Sequence, residues 1–297
     1  MSYYYLYGCV VKSDLEFVQL APARETQNPD IVFERGTVTA ELQDKFANKL
    51  LYEPGDETTW FGNYVCMLRM DNGKRMVYYP KAENETLLLQ TFMLGYGIAM
   101  LFMQRGQLAI HCSALHNGKE AILIAGDSGS GKSTLTNFYL AQGWNLMADD
   151  MVIAKFDKEK GTMVYPAFPY QKLCRNVAVE RGYDLDELIY IDEDKDKFLV
   201  PCREAFSVEG KPLKDFLMLR IHDEMEVEVR EINSIDKLHV CINNLFLYEA
   251  LGADRYSPKI VQKCLELIAN VDVHIIARPA GKDTTEEIKK AAFDIIL

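Results

Sequence analysis

The chain has 297 residues, 48% of them apolar and 26% charged, as expected of a soluble globular protein with one or two domains. Its 33 basic and 44 acidic residues give a net charge of −11, which argues against binding to nucleic acid or to an anionic membrane. The seven cysteines are scattered and form no Cys-x-x-Cys pair, so free thiols are expected rather than a zinc site or a disulfide framework. Free thiols, and a start without the basic and apolar regions of a signal peptide, predict a cytoplasmic protein.

Residues 1–84 are predicted to form an N-terminal β-rich α+β region. Aromatic and β-branched runs at 3–11, 59–68 and 76–79 predict strands, since glycine and proline separate them. A helix is predicted over 39–50.

The segment 87–103 is apolar and nearly long enough to span a membrane. It includes the polar residues Gln90 and Thr91 and leads directly into a strand-like sequence. We therefore expect a buried helix of a soluble protein and not a membrane anchor.

An alternation of strands and helices follows. Strands are predicted at 108–115 and 121–125, joined by a tight Asn-Gly turn. A helix over 132–141 and a strand over 145–148 come next. Further along, we predict a pair of strands at 213–221 and 227–232, helices over 235–251, 257–268 and 284–297, and a strand at 271–277.

A glycine-rich loop lies between the strand 121–125 and the helix 132–141. It matches the Walker A pattern G-x-x-x-x-G-K-[ST] at every fixed position. Its residues are Gly126, Asp127, Ser128, Gly129, Ser130, Gly131, Lys132 and Ser133, followed by Thr134. Glycines let backbone N–H groups surround phosphate oxygens, and the helix start adds a positive dipole end. We therefore expect this loop to bind ATP, with Lys132 on the β- and γ-phosphates and the Ser133 hydroxyl on Mg²⁺.

Two adjacent carboxylates, Asp149 and Asp150, end the strand 145–148. A carboxylate in this place can hold Mg²⁺, and a second one can accept a proton from an attacking hydroxyl. Spacing alone does not assign the two roles. We expect Asp149 to share the metal with Ser133 and Asp150 to act as the base.

His111 precedes the turn that leads to the loop strand. It could be a buried core histidine, or it could contact the γ-phosphate or orient a carboxylate. Surface cations at Lys197, Arg203, Arg278 and Lys282 could add phosphate or substrate contacts, or could simply be solvated.

These residues resemble a known family. His111-Cys-Ser-Ala, the loop Gly-Asp-Ser-Gly-Ser-Gly-Lys-Ser from Gly126, and the strand end Leu-Met-Ala-Asp-Asp150 are similar to the bacterial HPr kinase/phosphorylase family over residues 108–155. Arg278-Pro-Ala-Gly281 is similar to a later segment of that family. The resemblance implies an α/β fold with a P-loop core of the HPr kinase and phosphoenolpyruvate carboxykinase type, over residues 85–297. It also implies phosphate contact for Lys132, metal for Ser133, a catalytic role for His111 and a proton acceptor in Asp150.

Two departures separate the chain from that family. Thr134 stands where the family has Glu, and the E-x-R-G-x-G segment tied to the phosphorylase reaction is missing. The chain therefore resembles the divergent HPr-kinase-related proteins, some of which phosphorylate serine in peptide-modification pathways such as lasso-peptide tailoring.

We expect an ATP- and Mg²⁺-dependent kinase whose partner is a protein or peptide acceptor, with little reverse activity. Homo-oligomers are compatible with the sequence. An ATPase or nucleotide switch without an acceptor is the alternative, and a decarboxylating carboxykinase is disfavoured because its second metal site is not evident.

Overall fold

The computed structural model of the protein describes residues 1–82, 86–127, 129–191, 196–204, 206–233 and 235–296. Two compact units divide the chain: Met1–Ala109 with Phe168–Cys202, and Ile110–Ala167 with Arg203–Leu297. The boundary expected at residues 84 and 85 falls on residues outside those described, so the division into 1–84 and 85–297 stays a prediction. The structural units differ from it, because 86–109 and 168–202 pack with the N-terminal region.

The first unit is built on a mixed sheet. Its strands are β1 (Ser2–Leu6), β2 (Cys9–Ser13), β3 (Ala21–Pro22), β4 (Ile31–Arg35), β5 (Leu51–Glu53), β6 (Thr58–Gly62), β7 (Cys66–Asp71) and β8 (Arg75–Pro80), in the spatial order β3-β1-β2-β4-β8-β7-β6-β5. The predicted helix over 39–50 is shorter than expected. A 3₁₀ turn at Ala40–Leu42 leads into α1 (Gln43–Ala47), and the chain then enters β5. Pairing of β5 with β6 ends the helix, so tertiary context outweighs the local pattern.

A long apolar helix packs inside this unit. It consists of α2 (Thr86–Phe92), a π-helical segment (Met93–Gly97) and α3 (Ile98–Gln104). Thr86–Gln104 is long and apolar enough to cross a membrane by length and composition, but 56% of its apolar window is buried within the protein. A Cβ on Gly97 would come within 2.8 Å of the Met76 methyl group on β8, so helix and sheet are in close contact. The segment is the buried helix that the sequence predicts.

The next strands are β9 (Leu108–Ile110), β10 (Ser113–His116), β11 (Ala121–Gly126), β12 (Asn145–Ala148), β13 (Val152–Asp157) and β14 (Gly161–Tyr165), with helix α4 (Lys132–Ala141) after β11. The predicted positions of β11, α4 and β12 are confirmed. The single strand predicted over 108–115 is wrong, because it is interrupted at His111 and Cys112. The His111 N–H donates to the carbonyl of Asn244 at 2.7 Å, which takes His111 out of the strand.

A small sheet belongs to the first unit. It contains β15 (Tyr170–Cys174), β16 (Ile189–Ile191) and β17 (Lys197–Pro201), in the order β15-β17-β16, with helix α5 (Arg175–Glu180) and a 3₁₀ turn at Leu185–Glu187. The Tyr170 hydroxyl donates to the carbonyl of Val18 at 3.4 Å, so this sheet contacts the N-terminal region. Lys197 lies in β17 and therefore in this unit.

The remaining elements belong to the second unit. They are β18 (Lys211–His222), β19 (Glu228–Ile232), β20 (Asp272–Pro279), α6 (Ile235–Asn243), α7 (Tyr248–Leu251), a 3₁₀ turn at Gly252–Tyr256, α8 (Pro258–Ile268) and α9 (Thr285–Ile296). The sequence correctly predicts strands near 213–221 and 227–232, but their pairing is wrong. β19 pairs with β20, which lies between β19 and β18. The helix predicted over 235–251 is broken after Asn243, where Leu245 bridges to Ile110.

The sheet of the second unit brings several functional candidates to one edge. Part of it has the order β12-β10-β11-β18-β20-β19, and β11, β18 and β20 run parallel. Because β10 is antiparallel to both β11 and β12, its amino end meets the carboxyl ends of β11 and β12. Helices α4 and α9 cover one face, where Leu135, Tyr139 and Ile288 pack on Leu217 and Ile276. The structure is thus a mixed α/β fold with several sheets.

Candidate active site

The glycine-rich loop joins β11 to α4, and its backbone depends on glycine. Gly126, Gly129 and Gly131 have φ angles of 153°, 81° and 109°, which other residues rarely adopt. A Cβ on Gly126 would lie 2.6 Å from the carbonyl oxygen of Leu219, closer than side-chain carbons approach backbone. Ser128, predicted to contact the nucleotide, lies outside the described residues.

The start of α4 is open to an anion. Gly131 precedes the helix in a left-handed conformation, and among the described residues no side chain caps the first turn. Uncapped N–H groups at a helix start carry a partial positive charge, which favours a phosphate oxygen. Lys132, Ser133 and Thr134 form this first turn, as the loop pattern predicts. Asn137 donates to the Ser133 carbonyl one turn later.

Lys132, His111 and Asp150 form a row of charged and polar groups. Lys132 Nζ lies 3.3 Å from His111 Nε2, and His111 Nδ1 lies 3.9 Å from Asp150 Oδ1. Because the lysine has only donors, a hydrogen bond between the two requires Nε2 to be the acceptor and Nδ1, on the side of Asp150, to carry the proton. The His111 and Asp150 side chains are 44% and 29% exposed, so both can meet a ligand. The core-histidine alternative for His111 does not fit this exposure.

Asp149 faces a different partner. The buried Ser113 hydroxyl lies 3.1 Å from Asp149 Oδ1 and 3.2 Å from the Asp149 carbonyl, so it can donate to either oxygen. This contact fixes the carboxylate at the end of β12. The two aspartates therefore have different neighbours, which spacing in the sequence does not reveal.

The two residues predicted to hold the metal are of a type that suits a magnesium ion. The Asp149 carboxylate and the Ser133 hydroxyl are hard oxygen ligands, the type that Mg²⁺ prefers. Among the described residues, no group of three His, Cys, Asp or Glu side chains forms a metal cluster. Mg²⁺ in nucleotide sites takes one or two protein ligands together with phosphate oxygens and water, so an incomplete protein shell fits that chemistry.

His111 is held by a segment that the sequence analysis did not single out. Its N–H donates to the Asn244 carbonyl, and the Phe246 ring centroid lies 6.1 Å from that of its imidazole. Next to it, Cys112 is fully buried, and burial raises the pKa of its thiol, which excludes it as a nucleophile. No local sequence signal indicates the contact with Asn244, because it joins residues more than a hundred positions apart.

Arg278, at the end of β20, contacts the loop. Its Nη2 donates to the Gly129 carbonyl at 2.6 Å, and its Nε donates to the Ser130 carbonyl at 3.3 Å. The sequence leaves this arginine as either a phosphate or substrate contact or a solvated cation, whereas in the structure its guanidinium is bonded to loop carbonyls. Lys282 donates to the Met225 carbonyl at 3.1 Å.

A small cleft borders the loop. Its volume is about 200 Å³, and it lies between the first turn of α4, the segment after β20 and the start of α9. Thr134 and Leu135 line one side, while Arg278, Lys282 and Lys289 line the other. Three cations beside one carboxylate, that of Asp283, favour an anionic or polar ligand.

Comparisons with known proteins give a likeness in structure but no match in sequence. No protein-family model matches the chain, and no curated protein matches it. Among solved structures, the chain is similar to the Hpr(Ser) kinase/phosphatase from Coxiella burnetii, with 14% sequence identity and a TM-score of 0.32. The match covers 63% of this chain and 95% of that one. At this TM-score the likeness supports no inference of function, and membership of the HPr kinase family stays a prediction.

Proposed function

We propose that the protein is a cytoplasmic ATP-dependent kinase that transfers the γ-phosphate to a hydroxyl, that of a serine in a protein or peptide. The observation that carries the proposal is the row from Lys132 through His111 to Asp150, with separations of 3.3 and 3.9 Å. In this row a cation from the phosphate-binding pattern and the carboxylate of Asp150 lie on opposite sides of one imidazole. Phosphoryl transfer needs both within reach of the same phosphate and acceptor.

ATP would be held by the loop and the start of α4. The backbone of Gly129 to Gly131 and the first turn of α4 would receive phosphate oxygens, with Lys132 balancing their charge. Ser133 and Asp149 would hold Mg²⁺, and Ser113 would keep the Asp149 carboxylate in place. When bound, Mg²⁺ would neutralise part of the negative charge on the phosphate oxygens.

Asp150 is the base in this proposal. It would accept the proton of the acceptor hydroxyl as that oxygen bonds to the γ-phosphorus and the bond from the γ-phosphorus to the leaving ADP breaks. His111 Nδ1 lies beside this carboxylate, 3.9 Å from Asp150 Oδ1. Asp149 instead accepts a hydrogen bond from Ser113, and its proposed role is to bind Mg²⁺.

The test is phosphate transfer with γ-labelled ATP and Mg²⁺, using cell extract and candidate peptides as acceptors, with mass spectrometry of the products. A labelled serine that depends on Lys132 and Asp150 supports the kinase. Label found only as inorganic phosphate, with every acceptor unlabelled, contradicts it.

An ATPase or nucleotide switch is the second candidate. The exposure of His111 and Asp150 favours it, because water could take the place of the acceptor hydroxyl. Phosphate release without any acceptor, unchanged when peptides and extract are added, would distinguish it from the kinase.

A further inference from the structure

Arg278 links the end of β20 to the glycine-rich loop and to its own turn. Two donors, Nη2 and Nε, reach the carbonyls of Gly129 and Ser130 at 2.6 and 3.3 Å. The third nitrogen, Nη1, lies 3.1 Å from the Pro279 carbonyl and 3.5 Å from the Lys282 carbonyl. All three nitrogens of the guanidinium therefore face backbone oxygens.

The direction of these carbonyls determines the direction of the loop amides. In a planar trans peptide, the N–H points opposite to the carbonyl of the preceding residue. Holding the Ser130 carbonyl toward Arg278 therefore turns the Gly131 N–H away from the guanidinium. The Ser130 N–H closes the turn by donating to Asp127 at 3.1 Å. Because Gly129 and Gly131 are conformationally free, these peptides could rotate if nothing held their carbonyls.

The backbone of Arg278 is held in place by the sheet. Arg278 pairs with Ile221 of β18, and β18 pairs with β11, the strand that leads into the loop. The side chain thus reaches the loop from two strands away. A lysine could carry the charge to the same place, but its single ammonium cannot form the planar fork that reaches two adjacent carbonyls.

We infer that Arg278 is a positioning residue for nucleotide binding: its guanidinium holds the phosphate loop with the Gly131 N–H directed away from the arginine, ready to receive a phosphate oxygen. The inference rests on the proposed nucleotide function, which it deepens by naming the group that preorganises the loop. Arg278 acts through the loop backbone in this role, and each of its three guanidinium nitrogens faces a backbone oxygen in the nucleotide-free protein.

Calorimetric titration with a non-hydrolysable ATP analogue and Mg²⁺ tests this inference. Arg278→Ala and Arg278→Lys should both weaken binding by about 10- to 100-fold, as expected for lost hydrogen bonds from a charged donor. Arg230→Ala is the matched control, since Arg230 is an exposed arginine on β19 of the same sheet, and it should bind as the wild type does. Wild-type affinity in Arg278→Lys would overturn the inference, because charge alone would then suffice.

Kinetics separate positioning from a role in folding alone. The KM for ATP should rise in Arg278→Lys while kcat stays near the wild-type value, since the loop binds ground state and transition state alike. A lower kcat with unchanged KM would mean only a smaller folded fraction and would contradict the inference. If Arg278→Ala does not fold, as judged by circular dichroism, Arg278→Lys decides.

Hydrogen exchange of the nucleotide-free protein tests the loop without any ligand. The amides of Ser130 and Leu135 donate within the loop and the first helical turn, to Asp127 and Gly131. They should exchange at least about tenfold faster in Arg278→Lys than in the wild type. Equal exchange rates would refute the inference even if ATP binds. A different result would separate the two proposals. If the wild type does not bind ATP but the variant still exchanges faster, the nucleotide function is refuted, whereas the stabilisation of the loop by Arg278 is supported.

Discussion

Lys132 is the cation that the loop pattern places on the phosphates, and its Nζ lies 3.3 Å from His111. Lys132→Ala should weaken binding of an ATP analogue by about 10- to 100-fold, because charge-assisted hydrogen bonds to phosphate are lost. Calorimetric titration measures this effect, with circular dichroism as the check that the variant is folded. Unchanged affinity and turnover in a folded variant would refute the role of Lys132.

The two aspartates should respond differently to amide substitution. Asp150→Asn should still bind ATP with Mg²⁺ but lose about 10²–10⁴ in transfer rate, because an amide cannot accept the proton. Asp149→Asn should instead raise the Mg²⁺ concentration needed for half-maximal rate. Initial rates over a Mg²⁺ titration measure both effects. A nearly active Asp150→Asn beside an inactive Asp149→Asn that still binds Mg²⁺ and the ATP analogue normally, as judged by calorimetric titration, would reverse the assignment.

At the scale of residues, the sequence alone yields the site candidates that belong to a local pattern, and their roles stay predictions. The loop motif and the Asp-Asp strand end both require a fixed spacing, and spacing is visible in one dimension. Ser113, Asn244 and the carbonyl contacts of Arg278 were missed, because each is defined by a partner that is distant along the chain. Serine, asparagine and arginine are common on protein surfaces, so their identity alone gives no signal.

At the scale of elements, the geometry of the strand–loop–helix unit depends on Gly126. Gly126→Ala should weaken nucleotide binding and destabilise the protein by more than the roughly 1–3 kcal/mol of an unfavourable backbone conformation alone. The added cost comes from the Leu219 carbonyl, 2.6 Å from the new Cβ.

Gly118→Ala is the control for Gly126→Ala. Gly118 also has a positive φ, 95°, but a Cβ there meets no atom within 4 Å. Gly118→Ala should lower the free energy of unfolding only by the cost of the unfavourable backbone conformation. It has no steric clash, and nucleotide binding should be unchanged. Chemical denaturation and calorimetry compare the two variants, and equal losses in both would contradict the importance of the contact with Leu219.

Element positions were predicted best where hydrophobic pattern and turn residues agree. β11, α4 and β12 fall where the sequence places them, because an apolar run, a glycine loop and a helix-ending Gly143 mark their ends. The partner of β19 was not predictable, since adjacency in sequence favours β18 whereas β20 lies between the two. The break at His111 likewise depends on Asn244, a tertiary partner.

At the scale of the whole molecule, the two compact units are formed from discontinuous segments. The sequence does not indicate that residues 168–202 belong to the first unit, because their strand-like pattern is similar to that of strands in both units. The apolar helix at Thr86–Gln104 was correctly read as buried, but which sheet it covers depends on complementary shapes such as that of Gly97 against Met76.

The stability of the second unit should depend on pH through Asp215. This carboxyl is 2% exposed on β18, and burial raises its pKa above the usual range, with Asp272 and Glu120 adding to the rise. Lys214 and His274 oppose the rise, since they lie 4.0 and 3.6 Å from its oxygens. In the folded protein Asp215 therefore holds its proton to a higher pH than in the unfolded chain.

The sign of the effect follows from proton linkage. Between the two pKa values the native state binds more protons, so the free energy of unfolding falls as pH rises through that window. Asp215→Asn removes this titration and keeps the shape of the neutral acid. It should therefore be more stable than the wild type at pH 8, with a smaller difference at about pH 4, near the ordinary pKa of an aspartate. Urea denaturation at both pH values measures this difference, with Glu228→Gln, which removes an exposed carboxylate on β19 of the same sheet, as the control. A variant that loses stability between about pH 4 and pH 8 as steeply as the wild type would show that Asp215 is not the group responsible.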